Sequence, residues 1–332
     1  MSDLESFIPQ VTADGSFTFF SQEFSESFHS HYGALQESFL KFVDSTQLTK
    51  QANKPVLRLL DVCYGLGYNT AAALQTIWAV NPTCYVEVIG LELNPSVPQA
   101  AIAHNLFDSW AYEYTQILTQ LAFEYQVQTE RCAAKLLIGD ARSSIQLVNQ
   151  SNFLSDAIFL DPFSPPQCPH LWTLEFIKQL SLSLHEDGIL ATYSCAAAVR
   201  TALLEAGLQI GSTPPVGRRS PGTVAMWGGS ESGECGESKE RGGSVGRGGR
   251  GGSNAFLTSH TSHTPHTLMS PHSLSPEEKE HLLTRAAIPY RDPELSDPAD
   301  VILQRRQLEQ QACSFEPTSR WRKRWRFKGQ AE

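Results

Sequence analysis

Residues 56–70 read VLRLLDVCYGLGYNT. Val56 to Asp61 is a short apolar run ending on a carboxylate, the pattern of a buried parallel strand. Gly65-Leu66-Gly67 then forms a turn, and a helix begins near Asn69 with Ala71, Ala72, Ala73, Leu74 and Ile77 on its buried side. Glycines at such a turn let the backbone approach a ligand closely, and the free amides of the helix start suit a carboxylate or phosphate. The stretch is not a dinucleotide fingerprint, because Thr70 stands where the third glycine would fall. A tight strand-to-helix turn with no ligand would use the same glycines.

Four further β-type runs follow at Val86–Glu92, Leu136–Gly139, Ala157–Asp161 and Ile189–Tyr193, with helical patterns at 95–105, 142–149, 170–184 and 196–206 between them. Residues 106–131 read as an extra aromatic-rich helical segment. Leu208–Gly211 and Thr223–Trp227 read as a closing antiparallel hairpin. Alternation of strand and helix predicts an α/β fold, a mostly parallel seven-stranded sheet with helices on both faces. Asp61, Glu92, Asp140 and Asp161 each end one of the first four strands. One carboxylate after a strand is commonly a helix cap, but four in succession lie on the edge where open parallel sheets bind ligands. Glu92, about 25 residues after the glycine turn, holds the place of a ribose-binding acid.

The chain divides by composition. Residues 1–50 are an N-terminal segment expected to pack on a catalytic domain at 51–228, residues 229–274 are rich in Gly, Ser and His, and 275–332 regain helical and basic character. The third piece cannot bury enough apolar surface to offset its ordering entropy and is expected to be a disordered insertion. No apolar run of membrane-spanning length and no secretory leader is found, so a cytoplasmic protein is expected. Seven scattered cysteines with no Cys-x-x-Cys spacing argue against a zinc site, and no metal is expected. The net charge of -9 is unevenly spread: residues 320–328, RWRKRWRFK, carry six cations, three aromatics and no acid.

Several segments together resemble one family. DVCYGLGYNTAAAL (61–74), DAIFLDPFSPPQCPHLWTLEFI (156–177), LATYSCAAAVRTALLEAGL (190–208) and VGRRSPGTVA (216–225) resemble the MnmC-type methyltransferases of the tRNA wobble-uridine aminomethyl pathway. So do DGSFTFFSQEFSESFHSHYGALQES (14–38) and IPYRDPELSDPADVIL (288–303). Cys63 replaces the usual first glycine of the turn, and no second glycine-turn domain of the kind that carries an FAD oxidoreductase half follows. The resemblance implies a Rossmann-like class I methyltransferase with S-adenosylmethionine as cofactor and tRNA, at its anticodon region, as partner. It implies that Asp61, Gly65 and Gly67 face the methionine part, Glu92 the ribose, and Asp140 with Ala141 the adenine.

The implied reaction methylates the primary amine of 5-aminomethyluridine, or its 2-thio form. An alkylamine is largely protonated at neutral pH, so a carboxylate beside it must orient it and take its proton; Asp161 is the candidate for both roles. His29 and Ser30, with Glu37, are candidates to close over the cofactor, and Asn69 either caps its helix or touches the cofactor. Phe163 packs either on a base or in the core, and the same choice holds for Trp172. Arg218 and Arg219 are candidates for phosphate contact, and Trp321 with Trp325 for stacking on exposed anticodon bases. Two other readings share these residues: methylation of a different amine, and a non-catalytic RNA-binding relative. The sequence leaves the oligomeric state open.

Overall fold

A computed structural model describes residues 7–108, 110–216, 220–228 and 273–328. Arg218, Arg219 and nearly all of the 229–274 stretch therefore lie outside the described residues. The chain opens with two small ribbons, β1 (Gln10–Val11) with β2 (Phe17–Thr18) and β3 (Phe20–Ser21) with β4 (Glu26–Ser27). After α1 (Ala34–Glu37), a π-helical turn at Ser38–Val43 and α2 (Leu48–Gln51), the central strand β5 (Val56–Val62) begins the main sheet.

The chain goes on through α3 (Tyr68–Val80), β6 (Tyr85–Glu92), α4 (Ser96–Ala103), α5 (Tyr112–Glu124), β7 (Gln126–Gln128), β8 (Cys132–Ile138), α6 (Ala141–Gln150) and β9 (Ser155–Leu160). It continues through α7 (Leu174–Leu182), β10 (Leu184–Thr192), α8 (Ala197–Glu205), β11 (Leu208–Ser212) and β12 (Thr223–Trp227). The sheet has eight strands in the order β11-β12-β10-β9-β5-β6-β8-β7. Strands β10, β9, β5, β6 and β8 are parallel neighbours, and β12 and β7 run against them. The α/β class and the parallel order agree with expectation; the strand count is corrected from seven to eight. The added strand is β7, inside the 106–131 stretch expected to hold an extra helical segment.

Strand periodicity explains the two cores. Along β5, Leu57 and Leu59 enter one apolar cluster with α3 and the π-helical turn, while Leu60 and Val62 enter the other with α6, α7 and α8. The expected helix at 170–184 is divided: a 3-10 turn at Pro169–Trp172 precedes α7, whose N-cap Thr173 accepts a hydrogen bond from the Phe176 amide.

The C-terminal residues form α9 (Pro276–His281), α10 (Ala299–Ala312) and α11 (Thr318–Lys328). They are bound to the helices of the main sheet by buried charge. Arg142 at the start of α6 reaches Asp292 at 2.9 Å, and Arg200 of α8 reaches Glu278 of α9 at 2.8 Å. The Leu174 amide also donates to the Tyr290 carbonyl at 3.0 Å. Among the described residues no helix is long and apolar enough to cross a membrane.

Candidate active site

Strand order reverses between β5 and β9, and the crevice outside their carboxyl ends is where sheets of this kind bind ligands. A cleft of about 680 Å³ lies there. Its floor includes Cys63, Gly65, Glu92, Asn94, Asp161 and Tyr193, and its roof is the N-terminal segment from Phe20 to Tyr32.

The glycine turn is built from left-handed residues. Cys63 (φ 65°), Gly65 (φ 57°) and Gly67 (φ 97°) all lie there, so a cysteine takes a conformation that costs an L residue about 1 kcal/mol or more. At Gly67 a Cβ would sit 2.7 Å from the Tyr64 hydroxyl, so this glycine serves the packing of Tyr64 and is not a cleft wall, whereas Gly65 is. Glu92 closes the turn from the end of β6: its two carboxylate oxygens accept from the Gly65 amide at 2.8 Å and the Asn94 amide at 2.9 Å. Burial raises its carboxyl above the ordinary value, against the pull of the Asn94, Gly65 and Leu93 amides.

Asp161, at the end of β9, lines the same cleft and accepts from Asn69 Nδ2 at 3.0 Å. Asn69 is buried in the first turn of α3, where Gly67 holds the N-cap position without a side-chain cap. Its side chain therefore neither caps the helix nor lines the cleft; it ties the start of α3 to Asp161. The loop after Asp161 is pinned twice more. The Tyr193 hydroxyl donates to the Pro162 carbonyl at 2.9 Å, and Trp172 Nε1 donates to the Phe163 carbonyl at 2.8 Å. Trp172 is fully buried, so it is corrected from a base-stacking candidate to a support of this loop.

The remaining strand-end acids and the C-terminal indoles have partners within the protein. Asp61 is fully buried beneath the cleft and is not one of its walls; its Oδ2 accepts from the Thr70 hydroxyl at 2.7 Å. Burial pushes the Asp61 carboxyl up to about 7, opposed by the Thr70 hydroxyl and reinforced by Glu92. Asp140 caps α6 through the Arg142 amide at 2.9 Å and is held by the Arg142 guanidinium at 2.7 Å. Burial acts to raise Asp140, but the Arg142 hydrogen bonds and charge outweigh it and hold the carboxyl below its ordinary range. Neither Asp140 nor Ala141 is a cleft wall. Trp321 is buried on His281, rings stacked at 4.1 Å, and Trp325 Nε1 donates to Glu280 at 2.9 Å, so both indoles face the protein rather than an RNA base.

His29 and Ser30 of the roof, and Glu37 of α1, line the cleft. His29 Nδ1 lies 3.3 Å from the Thr18 hydroxyl, and the Ser30 amide donates to Glu37 at 3.0 Å. Three roof residues, Phe24, Glu26 and Phe28, lie in the 14–38 stretch and are not singled out by its sequence. Phe24 stacks on Phe163 with centroids 4.5 Å apart, and Phe28 meets Phe163 edge-on at 5.0 Å. Glu26 accepts from the Ser164 amide at 2.9 Å and also from the Ser164 hydroxyl. Among the described residues no group of three His, Cys, Asp or Glu side chains is arranged to hold a metal ion.

Residues 104–227 match a family model described as an S-adenosyl-L-methionine-dependent methyltransferase. The crystal structure of MnmC2 from Aquifex aeolicus is similar with a TM-score of 0.70 and 30% identity, over 92% of this chain and 86% of that one. The chain belongs to the MnmC-type methyltransferases. Among relatives by sequence, the tRNA 5-methylaminomethyl-2-thiouridine biosynthesis bifunctional protein MnmC of Ralstonia nicotianae is 29% identical over 234 residues, 66% of this chain and 34% of that protein. An uncharacterised protein of Methanocaldococcus jannaschii is 31% identical over 221 residues, 64% of this chain and 58% of its own length. The matched part thus spans about a third to somewhat over half of these relatives. As an MnmC-type methyltransferase the protein uses S-adenosylmethionine. The cleft suits that molecule chemically: Glu92 is a buried acceptor at the end of β6, with amide donors on one side and the cleft on the other, which fits a vicinal diol.

Proposed function

We propose that the protein transfers the methyl group of S-adenosylmethionine to the primary amine of 5-aminomethyluridine, or its 2-thio form, at the wobble position of tRNA. The observation that carries this reading is the Asp161 carboxylate, tied by Asn69 to the turn that receives the cofactor and sharing one cleft with Glu92. The name of the Ralstonia relative, which concerns biosynthesis of this methylated nucleoside in tRNA, supports the substrate.

Bound S-adenosylmethionine supplies an electrophilic methyl group. Glu92 accepts hydrogen bonds from the ribose, Gly65 allows close backbone approach, and His29, Ser30 and Glu37 close the cofactor from above. Asp61, Gly67 and Asn69 keep the turn and Asp161 in register from behind. An amine attacks only when its lone pair is unprotonated, so Asp161 orients the amine through its N–H groups and then accepts the proton that the amine loses. The Phe24, Phe28 and Phe163 cluster excludes water from the roof and offers an aromatic face to a nucleobase. Residues 51–228 form the catalytic domain in this reading, with 1–50 as its roof.

Incubation with labelled S-adenosylmethionine and tRNA carrying 5-aminomethyluridine, followed by nucleoside mass spectrometry, tests the proposal. Label appears in 5-methylaminomethyluridine. Label absent from that nucleoside but present in another amine would replace the substrate and leave the methyl transfer.

A further inference from the structure

The basic segment at 320–328 is a docked helix, not a trailing end. Two of its aromatics, one helical turn apart, hold α11 against α9: Trp321 stacks on His281 with rings 4.1 Å apart and 9° from parallel, and Trp325 donates to Glu280 at 2.9 Å. Arg324 is spent on the same contact, pairing with Glu280 and Glu316 at 2.7 Å each. The segment just before the helix is anchored as well, since the Arg285 amide donates to the Glu316 carbonyl at 2.9 Å. Arg320, Arg322 and Lys323 remain exposed, and none of them pairs with a described carboxylate. With Trp321 facing inward, helical geometry turns Lys323 to the opposite side and Arg320 and Arg322 to the flanks.

Position in the fold gives these cations a meaning. Glu278 of α9 accepts from the Ser212 hydroxyl at 2.5 Å, and Ser212 ends β11. A single row of paired residues crosses the sheet there: Ser212 with Thr223, Thr223 with Thr192, and Thr192 with Leu160, which precedes Asp161. Three strand spacings of about 4.8 Å put this anchor roughly 14 Å from the start of the Asp161 loop, on the same edge of the sheet. Stacked nucleotides rise about 3.4 Å each along a strand, so the anchor that carries α9, against which α11 packs, is about four nucleotides from that loop.

We infer that Arg320, Arg322 and Lys323 form a phosphate-binding face for RNA beyond the immediate neighbours of the methylated nucleotide. The inference rests on the tRNA reading for its partner. It assigns Trp321 and Trp325 to fastening the helix, and leaves the contact electrostatic and indifferent to sequence.

The test neutralises the face in the full chain with the triple substitution Arg320→Gln, Arg322→Gln, Lys323→Gln, which leaves Trp321, Arg324 and Trp325 in place. Binding of tRNA is measured between 50 and 300 mM salt (a range set by the roughly 10 Å Debye length near 0.1 M). Each lost phosphate contact lowers the slope of log affinity against log salt by roughly 0.7 to 0.9, so the slope becomes shallower by about 2 to 3 if all three make contact. S-adenosylmethionine affinity and melting temperature stay as in wild type. On a trinucleotide centred on 5-aminomethyluridine, wild type and variant behave alike, because the flanking phosphates are gone. An unchanged salt slope on tRNA overturns the inference, as does an equal loss on the trinucleotide, and an acidic protein then becomes the occupant to seek. A wild-type protein that binds tRNA with the expected slope but does not methylate aminomethyluridine sinks the substrate reading alone.

Discussion

At the residue scale, the three carboxylates of the cleft region are separated by environment. Asp161→Ala is expected to abolish turnover while S-adenosylmethionine affinity stays within a few fold, because the proposed partner of Asp161 is the amine; calorimetry and single-turnover methylation measure the two separately. Asn69→Ala should lower kcat in the same sense, since it removes the 3.0 Å tether on Asp161 without removing a cleft wall. Glu92→Ala should weaken cofactor binding by roughly 1 to 3 kcal/mol, the scale for deleting a charged acceptor, and equal affinity would move the ribose elsewhere. Asp61 acts through pH. Its carboxyl titrates near 7 in the folded chain against an ordinary 3.8, so between those values the folded state holds a proton that the unfolded state has released. Its contribution to stability is complete below about pH 4 and lost as pH rises through about 7, so Asp61→Asn should show a smaller fall in melting temperature between pH 5 and pH 8 than wild type. Parallel pH curves would remove Asp61 as the cause. Sequence alone located Asp61, Glu92, Asp140 and Asp161 at strand ends, since the end of a strand is legible from the apolar run before it. It could not tell cleft walls from supports, because Thr70 beneath Asp61 and Arg142 on Asp140 are contacts of side-chain direction, which strand periodicity does not encode.

At the element scale, the ribbon of β3 and β4 is the part of the roof that the sequence did not announce. Two-residue strands are too short to show an alternation, and Glu26 sits among serines like any surface acid. Its contacts make it a latch: Glu26 accepts the Ser164 amide and hydroxyl while Phe24 stacks on Phe163 of the same loop. Glu26→Ala leaves the Ser164 amide and hydroxyl without their acceptor, and a partly buried donor without its partner costs about 1 to 3 kcal/mol. Because none of this touches the main sheet, the variant should unfold cooperatively near the wild-type temperature yet release S-adenosylmethionine several-fold faster in stopped-flow displacement. Unaltered release would show that the ribbon does not control the roof. The long elements were legible for the opposite reason. The strands β5, β6 and β9 carry six to eight residues each, enough for a buried run to stand out. Strand β7 was read as helix because nothing punctuates its boundary: the turn residue after α5 is Tyr125 at φ 58°, not the glycine that usually marks a helix end.

At the scale of the whole molecule, the C-terminal helices are carried on α6 and α8 of the main sheet by Arg142 with Asp292 and Arg200 with Glu278, so the connection across residues 228–277 joins two parts already fixed to each other. Trp227 pairs with Leu208 at one end of β11, and Glu278 bonds Ser212 at the other, so the connection must return along about 14 Å of strand. Removal of residues 230–272 leaves 228, 229 and 273–277, seven residues that extend to roughly 25 Å, more than the return requires. Shortening a 50-residue connection to 7 is nearly three halvings, each worth about 0.6 kcal/mol of closure entropy, so the deletion should stabilise the chain slightly, by at most about 2 kcal/mol. Methylation should continue at the wild-type rate, because the cleft walls, the roof and α11 all lie outside the deleted stretch. A melting temperature lower by many degrees would show that the Gly, Ser and His-rich segment packs on the domain. Retained stability with lost RNA binding would instead move the phosphate contact from α11 to Arg241, Arg247 and Arg250, the arginines within the deleted segment.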